Sequence, residues 1–306
     1  MNTLFQLTIL GSSSAMPTSV KYPTAQVLQV PGRLFLIDCG EGTQHQLRVN
    51  RIPISQINHI LISHLHGDHF FGLIGLLSTQ LLMGRQQDLH LYADSRLKEY
   101  VDSQFQFLGM NHPGFKMIFH PLNFNRADQI YEDKLITITS FPLNHRIPCC
   151  GFRFDEKPRQ PNIRKDQLKR YQIPIREIKQ IKAGKNFLSA SGELILNDRL
   201  VTPAAAPRSY AFCSDTAYSP NIIPHLKDID LLYHEATFEK CDEALARATF
   251  HSTGEQAARM ANEAGAKKLL IGHFSARYRT SNSIINEAKA VFKTTEAAEE
   301  NTKWSF

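Results

Sequence analysis

Short apolar runs rich in β-branched residues alternate with amphipathic stretches along most of this chain. Runs of strand length bounded by turn residues predict strands, and apolar residues at three- and four-residue spacing predict helices. Residues 4–10, 25–30 and 34–37 read as strands, the last two joined into a hairpin by Pro31-Gly32, and residues 11–17 as a loop. A helix over about 41–50 leads to a strand at 57–62, and helical spacing resumes over 70–83. A strand at 89–92, a helix over about 95–108 and strands near 115–120 and 135–141 follow. Beyond residue 209 the alternation returns, with strands at 209–213 and 268–272 and a helix to about 264, for which Ser252 and Glu255 have the spacing of a capping box. The tail from Thr294 is polar and reads as frayed. Two such halves, to about Phe154 and from about Ser209, suit an α/β fold of the αββα sandwich type.

The stretch between the halves breaks the pattern. Pro158, Pro161 and Pro174 interrupt it, apolar density is low, and helical periodicity lasts only over about 164–171. Residues 155–190 therefore read as a basic arm inserted in a single domain spanning 1–306. Residues 157–185 hold ten basic and two acidic side chains, a net +8 in a chain whose total is +6. All of the positive excess thus sits in one segment, which points to a polyanionic partner. Elsewhere composition mainly excludes. At 306 residues and 42% hydrophobic content the chain can build a large core. It has no uninterrupted apolar run of about 18 residues, and its start lacks a signal peptide's basic region and cleavage site, so it reads as soluble and cytoplasmic. Its five cysteines, odd in number and without a Cys-x-x-Cys pair, indicate neither a disulfide framework nor a zinc ribbon.

The chemistry concentrates in His64-Leu-His66-Gly-Asp68-His69, four metal-ligand types in six residues. The run lies between a predicted strand and a predicted helix, where a loop can turn all four toward one point. Other candidates follow predicted strands. His145 comes after the strand at 135–141, Asp215 after 209–213 and His273 after 268–272; Glu235 lies near an apolar run and His251 in the loop before a helix. Alone, His145 or His251 would be ordinary loop residues.

These motifs together resemble ribonuclease Z of the metallo-β-lactamase superfamily, the endonucleases that remove tRNA 3′ trailers. The matching segments are His64–His69, Asn144-His145, Phe212-Cys-Ser-Asp215-Thr, His234-Glu-Ala-Thr-Phe238, His251-Ser-Thr-Gly254 and Gly272-His-Phe-Ser-Ala-Arg-Tyr278, in the family's order. The resemblance implies an αββα sandwich and two zinc ions, or manganese. His64, His66 and His145 would hold one ion, Asp68, His69 and His273 the other, and Asp215 would bridge them. Asp38 would brace the metal-site histidines from outside. Asp68 would also accept a proton from the attacking water, and His251, kept cationic by Glu235, would protonate the leaving oxygen. Hydroxide attack at a two-metal site would leave a 3′-hydroxyl and a 5′-phosphate. The family's arm extends from one subunit of a homodimer toward tRNA at the other, which gives Arg164, Lys165, Lys169, Arg170, Lys179, Lys182 and Lys185 an RNA-binding role. The Gly-Pro pair often found in that arm is absent here. A small-molecule phosphodiesterase or other hydrolase of the same fold would use the same ions, but nothing in such substrates needs a +8 segment.

Overall fold

The computed structural model of the chain describes residues 5–16, 18–109 and 114–306; Leu4, at the start of the first expected strand, and Pro17, at the end of the loop after it, lie outside them. Residues 1–155 with 208–306 form one compact unit and residues 156–207 another. In chain order the strands are β1 (Gln6–Gly11), β2 (Ala25–Val30), β3 (Arg33–Ile37), β4 (Ile57–Leu61), β5 (Leu89–Ala93), β6 (Met117–Pro121), β7 (Asp128–Glu132), β8 (Ile136–Pro142) and β9 (Cys150–Glu156). β10 (Asn162–Ile163), β11 (Phe187–Leu188), β12 (Leu194–Ile195) and β13 (Val201–Thr202) belong to the smaller unit. β14 (Ser209–Cys213), β15 (Leu231–Glu235), β16 (Lys268–Gly272), β17 (Thr295–Ala297) and β18 (Lys303–Ser305) complete the larger one.

The larger unit stacks two seven-stranded sheets, ordered β18-β1-β2-β3-β4-β5-β6 and β17-β16-β15-β14-β9-β8-β7. Alternate residues of the first sheet, among them Leu7, Ile9, Phe35 and Ile37, pack with Ile138, Phe152, Phe212 and Tyr233 of the second. The residues between them, such as Leu10, Leu34, Leu36 and Ile60, share a second core with Leu47, Leu73, Leu77, Leu97 and Val101 of the helices Thr43–Val49, Leu73–Leu82 and Arg96–Phe107. Strands buried on both faces read as continuous apolar runs, which is why these strands stand out in the sequence. On the second sheet's outer face, Ala257, Ala258, Ala261, Ile284 and Ala288 of the helices Gly254–Glu263 and Asn282–Val291 form a third core. The expected αββα sandwich is present.

Four local expectations are corrected. The division near residue 154 does not separate the sheets, because β7, β8 and β9 join the second and β18 joins the first. The tail is not frayed: β18 pairs antiparallel with β1, Trp304 opposite Leu7, and Trp304 enters the core between the sheets. The capping box belongs to Thr253 and Gln256, one residue further on than expected; Ser252 instead gives its hydroxyl to the Thr216 carbonyl. The helix predicted over 70–83 divides into the turn Gly67–Phe70 and the helix Leu73–Leu82, with Gly72 packed so closely on the Gly40 carbonyl that no Cβ fits. Among the described residues, no helix is long and apolar enough to cross a membrane.

The smaller unit has its own core, built from Ile173, Ile181, Phe187, Ile195, Leu200 and Val201. β10 pairs with β13 and β11 with β12, beside the helices Lys165–Arg170 and Ile175–Lys182. Pro174 starts the second of these rather than ending a helical pattern, since its fixed φ of −65° suits the residue before a first turn. The unit runs seventeen residues past the arm boundary expected at 190.

Candidate active site

Strand ends carry the candidate residues. The chain after β4 delivers His64 and His66 and then makes the single helical turn Gly67–Phe70, which carries Asp68 and His69. His145 follows β8, Asp215 follows β14, Glu235 ends β15 and His273 directly follows β16. Asp38, just past β3, and His273 both have left-handed backbone, with φ of 55° and 61°. That conformation costs a residue with a Cβ roughly 1–2 kcal/mol; here Asp38 holds His69 and His273 is itself a candidate ligand.

The ligand run converges on two points, divided as the resemblance implies, rather than on the single point that a loop alone would allow. His64, His66, His145 and Asp215 form one group, and Asp68, His69 and His273 another. In the first, His66 Nδ1 lies 3.0 Å from His64 Nε2 and 3.2 Å from His145 Nε2, and Asp215 Oδ2 lies 3.7 and 3.9 Å from those Nε2 atoms. In the second, Asp68 Oδ2 lies 3.3 Å from His69 Nε2 and 3.6 Å from His273 Nε2. Asp215 Oδ1 completes it at 3.5 Å from His69 Nε2 and 3.2 Å from His273 Nε2. Asp215 therefore faces both groups, one oxygen to each.

These donors fit metal ions. His69 Nε2, His273 Nε2 and Asp215 Oδ1 are fully buried without a hydrogen-bond partner, an expensive arrangement unless a cation takes their lone pairs. Two donors each about 2.0–2.1 Å from a tetrahedral zinc stand about 3.3 Å apart, close to the separations seen here. His66, Asp68, Asp215 and His273 of these groups line a cavity of about 510 Å³ together with Ser14, Ala15 and His251.

Two buried carboxylates fix which imidazole nitrogens face the cavity. Asp38 accepts from the Ser63 amide at 2.7 Å, the Ser63 hydroxyl at 2.9 Å and His69 Nδ1 at 2.7 Å. Having given its one proton to Asp38, the Ser63 hydroxyl must accept from His64 Nδ1 at 3.0 Å. His64 and His69 are thereby held with Nδ1 protonated and the Nε2 lone pair free. Glu235 repeats the scheme: it accepts the Thr237 hydroxyl at 2.8 Å, so that hydroxyl accepts from His273 Nδ1 at 2.9 Å. His251 Nδ1 donates directly to Glu235 at 2.9 Å, and His145 Nδ1 to the Phe250 carbonyl at 3.0 Å. Ser63 and Thr237 are not among the residues expected from the sequence, although each adjoins or lies within a matched motif. The Ala15 amide, which donates to Asp68 at 2.9 Å, leaves no mark in the sequence, because any residue but proline supplies such a group. His234, the first residue of a matched motif, is buried against the Glu235 carbonyl and belongs to neither group.

Burial pushes the imidazoles of His64, His66 and His145 below their usual pKa, which keeps them neutral. Burial alone would raise Asp215 and Asp68, but His273 and His69 around the first and His69 and His273 around the second hold both below the carboxylate range. Burial likewise opposes charge on His69, yet Asp68, Asp215 and Asp38 outweigh it and push that imidazole well above its usual value. The cavity thus calls for positive charge, and a metal ion competes with a proton for it.

The seven basic residues expected to bind RNA all lie in the smaller unit, around its two longer helices; six are exposed and Lys182 is half-buried.

Comparison with known proteins agrees with this geometry. The curated ribonuclease Z of Bacteroides fragilis is 47% identical over 297 residues, covering 97% of both chains. The chain belongs to the ribonuclease Z family. Ribonuclease Z of Porphyromonas gingivalis is 42% identical and covers 98% of both chains. Among solved structures, the short form of human tRNase Z superposes with a TM-score of 0.72 at 26% identity over 98% of each chain. The metallo-β-lactamase fold protein YhfI of Bacillus subtilis, at 20% identity and a TM-score of 0.70 over the whole of both chains, shows the shared fold. Residues 5–158 match the family described as Anti-Pycsar protein Apyc1; the match ends before Asp215, Glu235, His251 and His273.

If Ser63 and Thr237 set the imidazole protons, then Ser63→Ala and Thr237→Val each lower zinc affinity roughly 10- to 100-fold, and Thr237→Ser retains it. Competition between the apo-protein and a chromogenic chelator measures this directly; unchanged affinity in both variants would contradict it.

Proposed function

We propose that this chain is a zinc-dependent endoribonuclease that removes the 3′ trailer from precursor tRNA. The observation that carries the reading is a pair of imidazole–carboxylate groups sharing Asp215, in a chain that matches curated ribonucleases Z from end to end. His64, His66 and His145 would hold one zinc, and Asp68, His69 and His273 the other, with Asp215 between them; manganese suits the same donors. Ions held so lower the pKa of water toward 7 and offset charge gathering on the phosphate.

The chain's own groups supply the rest. Asp68 keeps lone pairs beyond those facing His69, His273 and the Ala15 amide, and these accept the proton of the attacking water. His251 gives a proton to the departing oxygen. Burial would lower the pKa of His251, but the Glu235 carboxylate outweighs it and pushes the imidazole up to about 9, so it is charged at neutral pH. Because water attacks rather than the ribose 2′-hydroxyl, the products are a 3′-hydroxyl on the tRNA and a 5′-phosphate on the trailer. In this reading the chain works in the cytoplasm as a homodimer, and the basic unit at 156–207 grips the folded RNA through its phosphates.

Zinc-loaded protein and its Asp68→Ala variant, incubated with a precursor tRNA whose product ends are mapped, test the chemistry. Wild type alone should cut, leaving the ends named above. A loaded protein that spares precursor tRNA yet hydrolyses bis(p-nitrophenyl) phosphate would favour the small-molecule phosphodiesterase instead. Replacing exposed Lys169, Lys179 and Lys185 with Glu should weaken precursor binding and flatten its salt dependence while sparing hydrolysis of the small diester. Loss of both activities would remove the grip from the reading. An acid with a raised pKa loses its proton, and the rate falls, as pH rises. Glu235→Gln should therefore move the alkaline limb of kcat/KM to lower pH, with bound cations already holding the wild-type limb below 9.

A further inference from the structure

One large apolar side chain stands in the open beside the metal-ligand groups. Phe71 is 61% exposed and lines the same cavity as Asp68, Asp215, His251 and His273. Its neighbour Phe70 is buried in the core beneath the helices, so the Phe70-Phe71 pair sends one ring inward and leaves the other out. Single exposed apolar residues are common on protein surfaces. Phe71 differs in being rigidly mounted. A Cβ on Gly67 would lie 2.2–2.6 Å from Cε2, Cζ and Cδ2 of the Phe71 ring, so the ring rests directly over the Gly67 backbone. The Phe71 amide donates to the Gly67 carbonyl at 2.8 Å, Phe70 meets the ring edge-on with centroids 5.0 Å apart, and the Gly72 amide is tied to the Cys39 carbonyl at 2.9 Å. The ring and the ligand candidates Asp68 and His69 therefore belong to one short turn, and their separation is fixed.

A fixed aromatic surface, partly in water and a few residues from the groups that would meet a phosphate, has the chemistry to receive a flat π-system attached to that phosphate. We propose that Phe71 is the platform on which a nucleobase flanking the scissile phosphate stacks, making it a positioning residue for cleavage. The proposal rests on the ribonuclease reading above. Stacking accepts any base because every base has a π-face, and it favours the larger purines. It suits an enzyme that must cut many precursors of different sequence at one place, since it fixes a nucleotide without reading its edges.

The test is a cycle of variants and substrates. Phe71→Leu, Phe71→Trp and wild type are assayed at single turnover on a precursor RNA and on two copies of it, each made abasic at one nucleotide flanking the cut. On the intact RNA, Phe71→Leu should lose roughly 5- to 100-fold in kcat/KM, and Phe71→Trp should recover most of it. On one of the abasic RNAs, wild type should fall to the level of Phe71→Leu, and the variant should lose nothing more. The melting temperature and the zinc bound per chain should be the same in all three proteins. Loss on the intact RNA that persists undiminished on both abasic RNAs would overturn the stack in favour of a structural role, and no loss at all would make Phe71 a bystander. Failure of wild type to cut any of the RNAs would instead sink the ribonuclease reading, and the stack with it.

Discussion

One buried carboxylate, Asp215, faces four imidazoles, and the arrangement of the larger unit follows from the need to keep it charged. An isolated carboxylate at that depth would take up a proton rather than stay ionised. His64, His145, His69 and His273 surround it, His273 and His69 outweigh its burial and hold its pKa down, and its two oxygens look into different groups. The converging side chains come from β4, β8, β14 and β16 of both sheets. Only a fold that brings those strand ends to one edge can assemble the site. Each half also brings its own acidic brace, Asp38 in one and Glu235 in the other, and each acts on one histidine directly and on another through a hydroxyl.

How much of this was legible in the sequence depended on whether the signal was local. The strands β2, β3, β4, β14 and β16 announced themselves because burial on both faces makes an unbroken apolar run. The His64–His69 cluster did so by density, and Asp215, Glu235 and His273 by their places after or within such runs, whereas His251, in a loop before a helix, stood out only through its matched motif. Nonlocal facts were out of reach. Trp304 looks like part of a polar tail until β1 is known to lie beside it, and β7, with Asp128, Gln129 and Glu132 among its five residues, has no strand pattern apart from its pairing with β8. The helix Ile175–Lys182 was obscured by Pro174, whose meaning reverses depending on whether a helix ends or begins there.

The pairing of β18 with β1 ties Lys303–Ser305 to residues 6–8, nearly the whole chain away. During synthesis β1 emerges long before β18 and keeps one edge unpaired until β18 follows, and His273 likewise emerges long after the His64–His69 run. Contacts so distant in sequence are slow to form and cannot be reached by a partial chain. A nascent chain therefore carries the His64–His69 run before Asp215 and His273 exist to complete either group.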